Sequence, residues 1–206
     1  MARIQWVAAA AVVLSGCAGM SAEECMVTDW RSVGFEDGAS GRAETAIGNY
    51  RQACGQHGVA PDLDQYRLGH SEGVEVYCRP GRGFDVGRRG GRYQGVCPAD
   101  VEPAFLAAFN DGRLLYELES ELRTIDSQIA SRYRRIDAID TELAAAAAAI
   151  IADGTSAQTR AELLLETRNL NDEQDRLEDE ITGLEAERLL AADELLAYQD
   201  TLADLR

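Results

Sequence analysis

Lysine is absent from this chain: all 20 basic residues are arginines, and they face 36 acids for a formal charge of −16. So acidic a chain is a poor candidate for nucleic acid, whose binding is driven by phosphate neutralisation, and no nucleic-acid partner is expected. Histidine is nearly missing as well, with two residues in all. Leaving Cys17 aside, no two cysteines come closer than the 18-residue gap between Cys78 and Cys97. A structural metal centre wants cysteine pairs at C-x2-C spacing with histidine partners, so neither a metal nor another cofactor is expected. Alternating β-branched strands are scarce, which argues against a sheet. Long hydrophobic runs are lacking too. The apolar stretch 143–152 has only ten residues, half of the roughly 20 that a membrane-crossing helix needs.

The N-terminus has the three parts of a secretory signal. Arg3 supplies the positive end, residues 4–13 the short apolar stretch, and Leu14-Ser15-Gly16-Cys17 the cleavage region. Small residues just before a cysteine are what a lipoprotein-processing peptidase requires, and the thiol is where a diacylglycerol attaches. Residues 1–16 are therefore read as a lipoprotein signal peptide, Cys17 as the lipidated residue and 17–24 as a linker. The alternative is an ordinary signal peptide whose cysteine happens to fall near the cut. Two or more acyl chains anchor a protein stably where one does not. Ala18, in place of an aspartate that would suggest inner-membrane retention, points to an outer-membrane lipoprotein facing the periplasm of a bacterial cell.

Four cysteines remain: Cys25, Cys54, Cys78 and Cys97. An even number in an exported chain implies disulfides, because the periplasm is oxidising, and four cysteines allow three pairings. Three short helices are read at 27–38, 43–57 and 63–77. Short loops make neighbours antiparallel, which puts Cys25 and Cys54 at one end of the first two helices. Cys78 ends the third helix, and Cys97 is the only cysteine after it. The expected pairs are Cys25–Cys54 and Cys78–Cys97.

From about Leu114 onward the period changes. Apolar residues recur alternately three and four apart from Leu115 to Ile150, with Arg132 the polar exception, and again from Leu163 to Leu202. Sustained alternation of this kind argues for a coiled coil. Residues 153–156, Asp-Gly-Thr-Ser, interrupt it with a turn glycine and capping hydroxyls. Residues 113–206 are read as an antiparallel helical hairpin turning near 153–156. It pairs Ile150 with residues near Gln158 and Leu115 with residues near Asp193, and leaves Leu195 to Leu202 overhanging toward the N-terminal domain. One long dimerising helix is the alternative. This half is the more acidic, with 10 arginines against 22 acids from Arg113 on, a net −12.

Residues 25–112 are glycine-rich. Glycines recur four apart behind an aromatic: Trp30 before Gly34 and Gly38, Tyr66 before Gly69 and Gly73, Phe84 before Gly87 and Gly91. Phe105, Ala108 and Gly112 form a degenerate fourth copy. Small residues at i and i+4 make a flat strip on a helix. Each interior glycine costs about 1 kcal/mol relative to alanine, so close packing must offset it. The alternative, that these glycines are turn residues between strands, fits residues 81–95 better than the first two copies. The fold class expected is all-α: a small disulfide-stapled, glycine-rich helical domain followed by the hairpin.

The motifs Trp30-x3-Gly34-x2-Asp37-Gly38-x2-Gly41, Cys54-x3-Gly58-x2-Pro61-Asp62, Tyr66-x2-Gly69-x3-Gly73, Tyr77-Cys78 and Gly90-x2-Tyr93-x-Gly95-Val96-Cys97-Pro98 carry a resemblance. Over about residues 25–120 the chain resembles the bacterial envelope lipoproteins grouped as domain of unknown function 2799. A leucine commonly follows the glycine at position 73 in that family, where this chain has Val74. The resemblance implies a compartment and a fold, and no chemistry.

Two catalytic motifs fail on inspection. Gly69-His70-Ser71-Glu72-Gly73 has the G-x-S-x-G form of a nucleophile elbow, which needs a strand before it and a histidine after it in the chain. Residues 62–68 are polar and helix-like, and no histidine follows His70. Gly81 to Gly87 lacks the spacing and the strand of a dinucleotide loop. One charge feature stands out. Arg79, Arg82, Arg88, Arg89 and Arg92 face a single acid, Asp85, in a +4 segment of a −16 chain. Read as a loop over 79–95, it either binds anions, such as lipid phosphate or a peptidoglycan carboxylate, or pairs with the chain's own acidic helices. The overall expectation is a non-catalytic envelope lipoprotein. Its partners would be the membrane, through the lipid, and an envelope protein, through the coiled coil. An anion- or peptidoglycan-binding module is the alternative.

Overall fold

A computed structural model describes residues 20–204; the signal segment and Cys17 lie outside the described residues. Seven α-helices appear there: α1 Ala22–Val27, α2 Trp30–Ala39, α3 Ile47–Gly55, α4 Leu63–Tyr77, α5 Pro80–Arg88, α6 Glu102–Ile151 and α7 Ala157–Asp204, with a 3-10 turn at Glu44–Ala46 before α3. No strand occurs among the described residues, as the scarcity of alternation implies. The chain forms two compact units. One holds the described residues up to Cys78 together with Tyr93–Pro98, the other Arg79–Arg92 together with Ala99 onward. The expected boundary at 112–113 is therefore not where the division falls. Phe105, Phe109 and Gly112 continue at three- and four-residue spacing into Leu115 and Leu118, so α6 runs through that point unbroken.

In the first unit, aspartates start the two principal helices. The Asp29 carboxylate accepts from the Arg31 N–H, and that of Asp62 from the N–H groups of Asp64 and Gln65, supplying bonds that a helix N-terminus lacks. Part of the expected linker is helical instead: Ser21 and Glu24 form a reciprocal capping box at the start of α1. α2 and α4 then cross so closely that side chains have no room. A Cβ on Gly34 would stand 2.0 Å from the Tyr66 carbonyl oxygen, on Gly38 2.2 Å from that of His70, on Gly69 1.9 Å from that of Arg31 and on Gly73 2.2 Å from that of Phe35. Those distances lie far inside van der Waals contact. Four glycines on two helices make the crossing together. Beside it Cys25, Trp30, Ile47, Cys54 and Tyr66 form a buried cluster, closed by the Cys25–Cys54 disulfide. The Cys78–Cys97 bridge closes a second loop. Both are the expected pairs, spanning 29 and 19 residues. Loops of these lengths contribute about 3 to 4 kcal/mol each in the chain-entropy description.

The second unit repeats the crossing. Gly83 of α5 lies against the Phe105 carbonyl, Gly87 against that of Phe109, and Gly112 of α6 against that of Phe84, with Cβ approaches of 2.5, 2.1 and 2.2 Å. The correspondence is residue by residue. Gly34, Phe35 and Gly38 of α2 answer to Gly83, Phe84 and Gly87 of α5. Tyr66, His70 and Gly73 of α4 answer to Phe105, Phe109 and Gly112 of α6. Even the caps agree. Gly41 and Gly90 both take positive φ, at 75° and 69°, against the rings of Tyr77 and Tyr116. The chain thus contains the same glycine-crossed helix pair twice, α2 with α4 and α5 with α6. Residues 80–88 are helix, not turns, because Pro80 starts α5 at its first position and the crossing needs helical glycines. The repeating pair on α5 is Gly83 and Gly87. Gly91 lies beyond the helix end, its N–H bonded to the Val86 carbonyl at 2.9 Å.

α7 returns along α6 as the second arm of a hairpin, so the expected all-α domain followed by a long antiparallel hairpin is the fold observed. The turn stands where the sequence places it. Gly154 has φ 91°, the Ser156 hydroxyl accepts from the Thr159 N–H at 3.1 Å, and the Thr155 hydroxyl donates back to the Ala149 carbonyl at 2.8 Å. Leu115, Leu118, Ile125, Ile139 and Ala146 of α6, with Leu170, Leu177, Ile181 and Ala191 of α7, are the buried residues of the seam. Each buried Leu or Ile contributes about 1.5 to 3 kcal/mol, whereas exposed ion pairs contribute under about 1 kcal/mol. The seam therefore holds the arms together and the ion pairs refine their register. The Arg135 guanidinium grips the Glu173 carboxylate with two bonds of 2.9 Å, and Arg132 meets Glu180 at 3.2 Å. Residues 195–202 do not overhang. Because α6 begins at Glu102, they lie along its first turns, where the Tyr198 hydroxyl donates to the Asp111 carbonyl at 3.1 Å.

The crossings predict opposite outcomes for one kind of substitution. Gly38→Ala should lower stability by about 1 to 3 kcal/mol, overpacking outweighing a helix-propensity gain of about 1 kcal/mol. Gly183→Ala, on α7 with open space around it, should raise stability by up to about 1 kcal/mol. Denaturant midpoints of the two variants check this, and equal shifts would contradict the packing argument.

Candidate functional site

The five arginines singled out by charge fall in one stretch of the second unit. Arg79 is the N-cap of α5, Arg82 and Arg88 are on the helix, Arg89 is its C-cap and Arg92 follows. All five are exposed. On a helix of 3.6 residues per turn, Arg82 and Arg89 share the side opposite the buried strip of Gly83 and Gly87, with Asp85 between them and Arg88 flanking. Among the described residues, none of the five stands within salt-bridge distance of an acid, whereas Arg31, Arg42, Arg67, Arg132, Arg135 and Arg188 all do. The Arg89 side chain donates to the Asp85 carbonyl on its own helix at 3.0 Å. Among the described residues the pairing with acidic helices that the sequence allows does not form, and the segment expected as a loop is helical from Pro80 to Arg88.

The first unit holds a site that charge reasoning misses. Asp37 is buried on α2, only 4 % exposed. Its carboxylate accepts from the Tyr66 hydroxyl at 2.8 Å, the Tyr50 hydroxyl at 3.3 Å and the Arg42 guanidinium at 3.0 Å. Burial, and then the adjoining carboxylate, pushes the Tyr66 phenol well above its ordinary value of 10.0; the same causes in the same order raise Tyr50. Trp30 packs edge-on against Tyr50 at 5.8 Å, and the imidazole of His70 stacks on Tyr66 at 5.9 Å. His70 in turn donates from Nε2 to the Arg42 carbonyl at 2.8 Å. Three donors thus converge on the buried Asp37 carboxylate. The cluster ties the loop of Arg42 to three helices: Asp37 of α2, Tyr50 of α3 and Tyr66 of α4. In the second crossing the counterparts of Asp37 and Tyr66 are Val86 and Phe105, so the same positions there are filled by an apolar pair.

The remaining motif residues are structural. Ser71 sits mid-helix in α4 with its hydroxyl donating to the Leu68 carbonyl at 2.9 Å; the strand and sharp turn of a nucleophile elbow are replaced there by continuous helix. The Tyr93 hydroxyl accepts from the Cys97 N–H at 2.9 Å, which holds the segment after α5 beside its disulfide. A groove of about 420 Å³ lies between α4 and that segment, lined by Glu44, His70, Ser71, Glu75 and Gln94 among others. Asp37 and Tyr66 both belong to the motifs of the sequence, but nothing local marks them as partners, since their contact depends on α2 crossing α4.

Residues 29–114 match the family described as Protein of unknown function (DUF2799). The matched stretch opens at the N-cap of α2 and ends soon after Gly112 of α6. It therefore contains both glycine-crossed pairs and little of the hairpin. The family resemblance read from the glycine and cysteine spacing covers the same stretch. Neither a curated protein nor a solved structure matches the chain.

The buried carboxylate yields a stability prediction. Tyr66→Phe removes one donor from a charged acceptor and should cost about 1.5 to 3 kcal/mol. The double variant Asp37→Val with Tyr66→Phe recreates the apolar pair of the second crossing and should recover part of that loss, measured as a non-additive double-mutant cycle. Because the folded-state phenol titrates above its unfolded value, its contribution is present at neutral pH and is lost as pH rises beyond about 10. That alkaline decline should be shallower in Tyr66→Phe.

Proposed function

We propose that this chain is a cell-envelope lipoprotein without catalytic activity, anchored through acylated Cys17. The observation that carries the reading is the tetrapeptide Leu14-Ser15-Gly16-Cys17 behind a ten-residue apolar stretch. The two disulfides suit an oxidising compartment, and none of the described helices is long and apolar enough to cross a membrane, which is consistent with attachment by lipid. Ala18 after the anchor favours the outer membrane, on its periplasmic side. In this reading the hairpin acts as a coiled-coil arm. α7 has 48 residues and reaches about 70 Å at 1.5 Å per residue. Its partner is another protein of the envelope, met along an acidic surface that also shows Leu189, Leu190 and Leu196 to solvent.

The second reading, an anion- or peptidoglycan-binding module, is supported by the arginines of 79–92. They are exposed and lack acidic partners among the described residues, which is where a binding face for anions begins.

Mass spectrometry of the mature protein tests the anchor. An acylated N-terminal Cys17 is expected, and Cys17→Ser should accumulate as unprocessed precursor in the membrane fraction. An unmodified terminus at any other residue would end the proposal.

A further inference from the structure

The internal repeat allows the two helix pairs to be compared position by position. In the first pair, Trp30 and Val33 of α2 pack into a cluster with Cys25, Ile47 and Cys54, partly covered by α3. Their counterparts, at the same distance from the crossing glycines, are Arg79 and Arg82. Ala39, Ser40 and Ala43 answer in the same way to Arg88, Arg89 and Arg92. Each of the five arginines thus replaces a residue that is uncharged in the first copy, and two of them stand where that copy has core. The second pair has no helix between α5 and α6 equivalent to α3. Its side chains at these positions are exposed, and the charge there belongs to the outer face of the helix and not to the crossing.

The same unit carries the opposite charge elsewhere. Residues 79–92 hold a net +4, while the stretch from Arg113 to the end holds a net −12. A unit so divided is an electrical dipole, and near a charged surface it turns its complementary end inward. We infer that the arginine face of α5 binds the phosphates of anionic phospholipids and so turns the acidic hairpin away from the membrane. The inference rests on the lipid anchor proposed above. Attraction to an anionic leaflet fades within about one Debye length, roughly 10 Å, so the arginines act at short range and most strongly on a chain already held at the surface. Guanidinium forks suit phosphate oxygens because two N–H groups meet two oxygens in one plane.

The test uses the mature protein reconstituted in nanodiscs of phosphatidylcholine alone or of phosphatidylcholine mixed with phosphatidylglycerol. Arginines are modified with phenylglyoxal and read by mass spectrometry. Arg82, Arg88 and Arg89 should be modified more slowly in the anionic discs, high salt should remove the difference, and Arg168 on the hairpin should show none. In the variant carrying Arg82→Gln, Arg88→Gln and Arg89→Gln, protection of Arg79 and Arg92 should be lost with the thermal midpoint unchanged. Asp85→Asn should deepen protection. Equal modification in both kinds of disc overturns the inference. So does protection by inorganic phosphate, or by muramyl-peptide carboxylates, in neutral discs that anionic lipid fails to reproduce. The same spectra report acylation. If the terminus proves unacylated, co-sedimentation with anionic but not neutral vesicles still upholds the arginine face, and its absence sinks it.

Discussion

Backbone touches backbone where α2 crosses α4 and again where α5 crosses α6, and most of what is particular about this protein follows from that contact. The carbonyl oxygens of Tyr66, His70, Arg31 and Phe35 occupy the space of absent Cβ atoms. Seven glycines on four helices give up helix propensity of about 1 kcal/mol each, and dense packing along the crossings offsets the loss. The close approach also brings Asp37 within reach of Tyr66, and it sets which side of α5 is left to carry arginine.

Recognising the crossing as a repeated unit changes how the chain is divided. The stretch matched to the family of unknown function contains the two crossed pairs, yet compactness groups the second pair with the hairpin. Both follow from α6, a single 50-residue helix whose first three turns belong to the crossing and whose remainder forms one arm of the hairpin. The two copies have diverged at their polar positions. One is filled by a buried carboxylate with two phenols and a guanidinium, the other by valine and phenylalanine. The first copy is stapled and covered by α1 and α3; the second offers arginines to solvent.

Electrostatics divides along the same lines. Within the hairpin, three arginines pair with acids of the facing helix: Arg132 with Glu180, Arg135 with Glu173 and Arg188 with Asp126. On α5 they meet no acid among the described residues. That five arginines of so acidic a chain meet no acid among the described residues is the physical ground for proposing an external anion.

The amino-acid sequence by itself determined whatever depends on short-range periodicity and on covalent constraint. The hairpin turn at Gly154, the seam from Leu115 to Ile150 and from Leu163 to Leu202, the limits of α4 and the two disulfide pairs were all legible. Three- and four-residue spacing, turn glycines and the order of cysteines along antiparallel helices are local signals. Only the tertiary structure decided the rest. Residues 80–88 read as turns because glycine is a poor helix former, and they are helical because α6 packs against them. That Gly34 faces Tyr66 and Gly83 faces Phe105 cannot be seen from spacing alone, since a flat strip does not name its partner. Asp37 gave no sign of burial, because its three hydrogen-bond donors come from 5, 13 and 29 residues away. Contacts between distant parts of the chain decide those features, and they exist only once the helices have crossed.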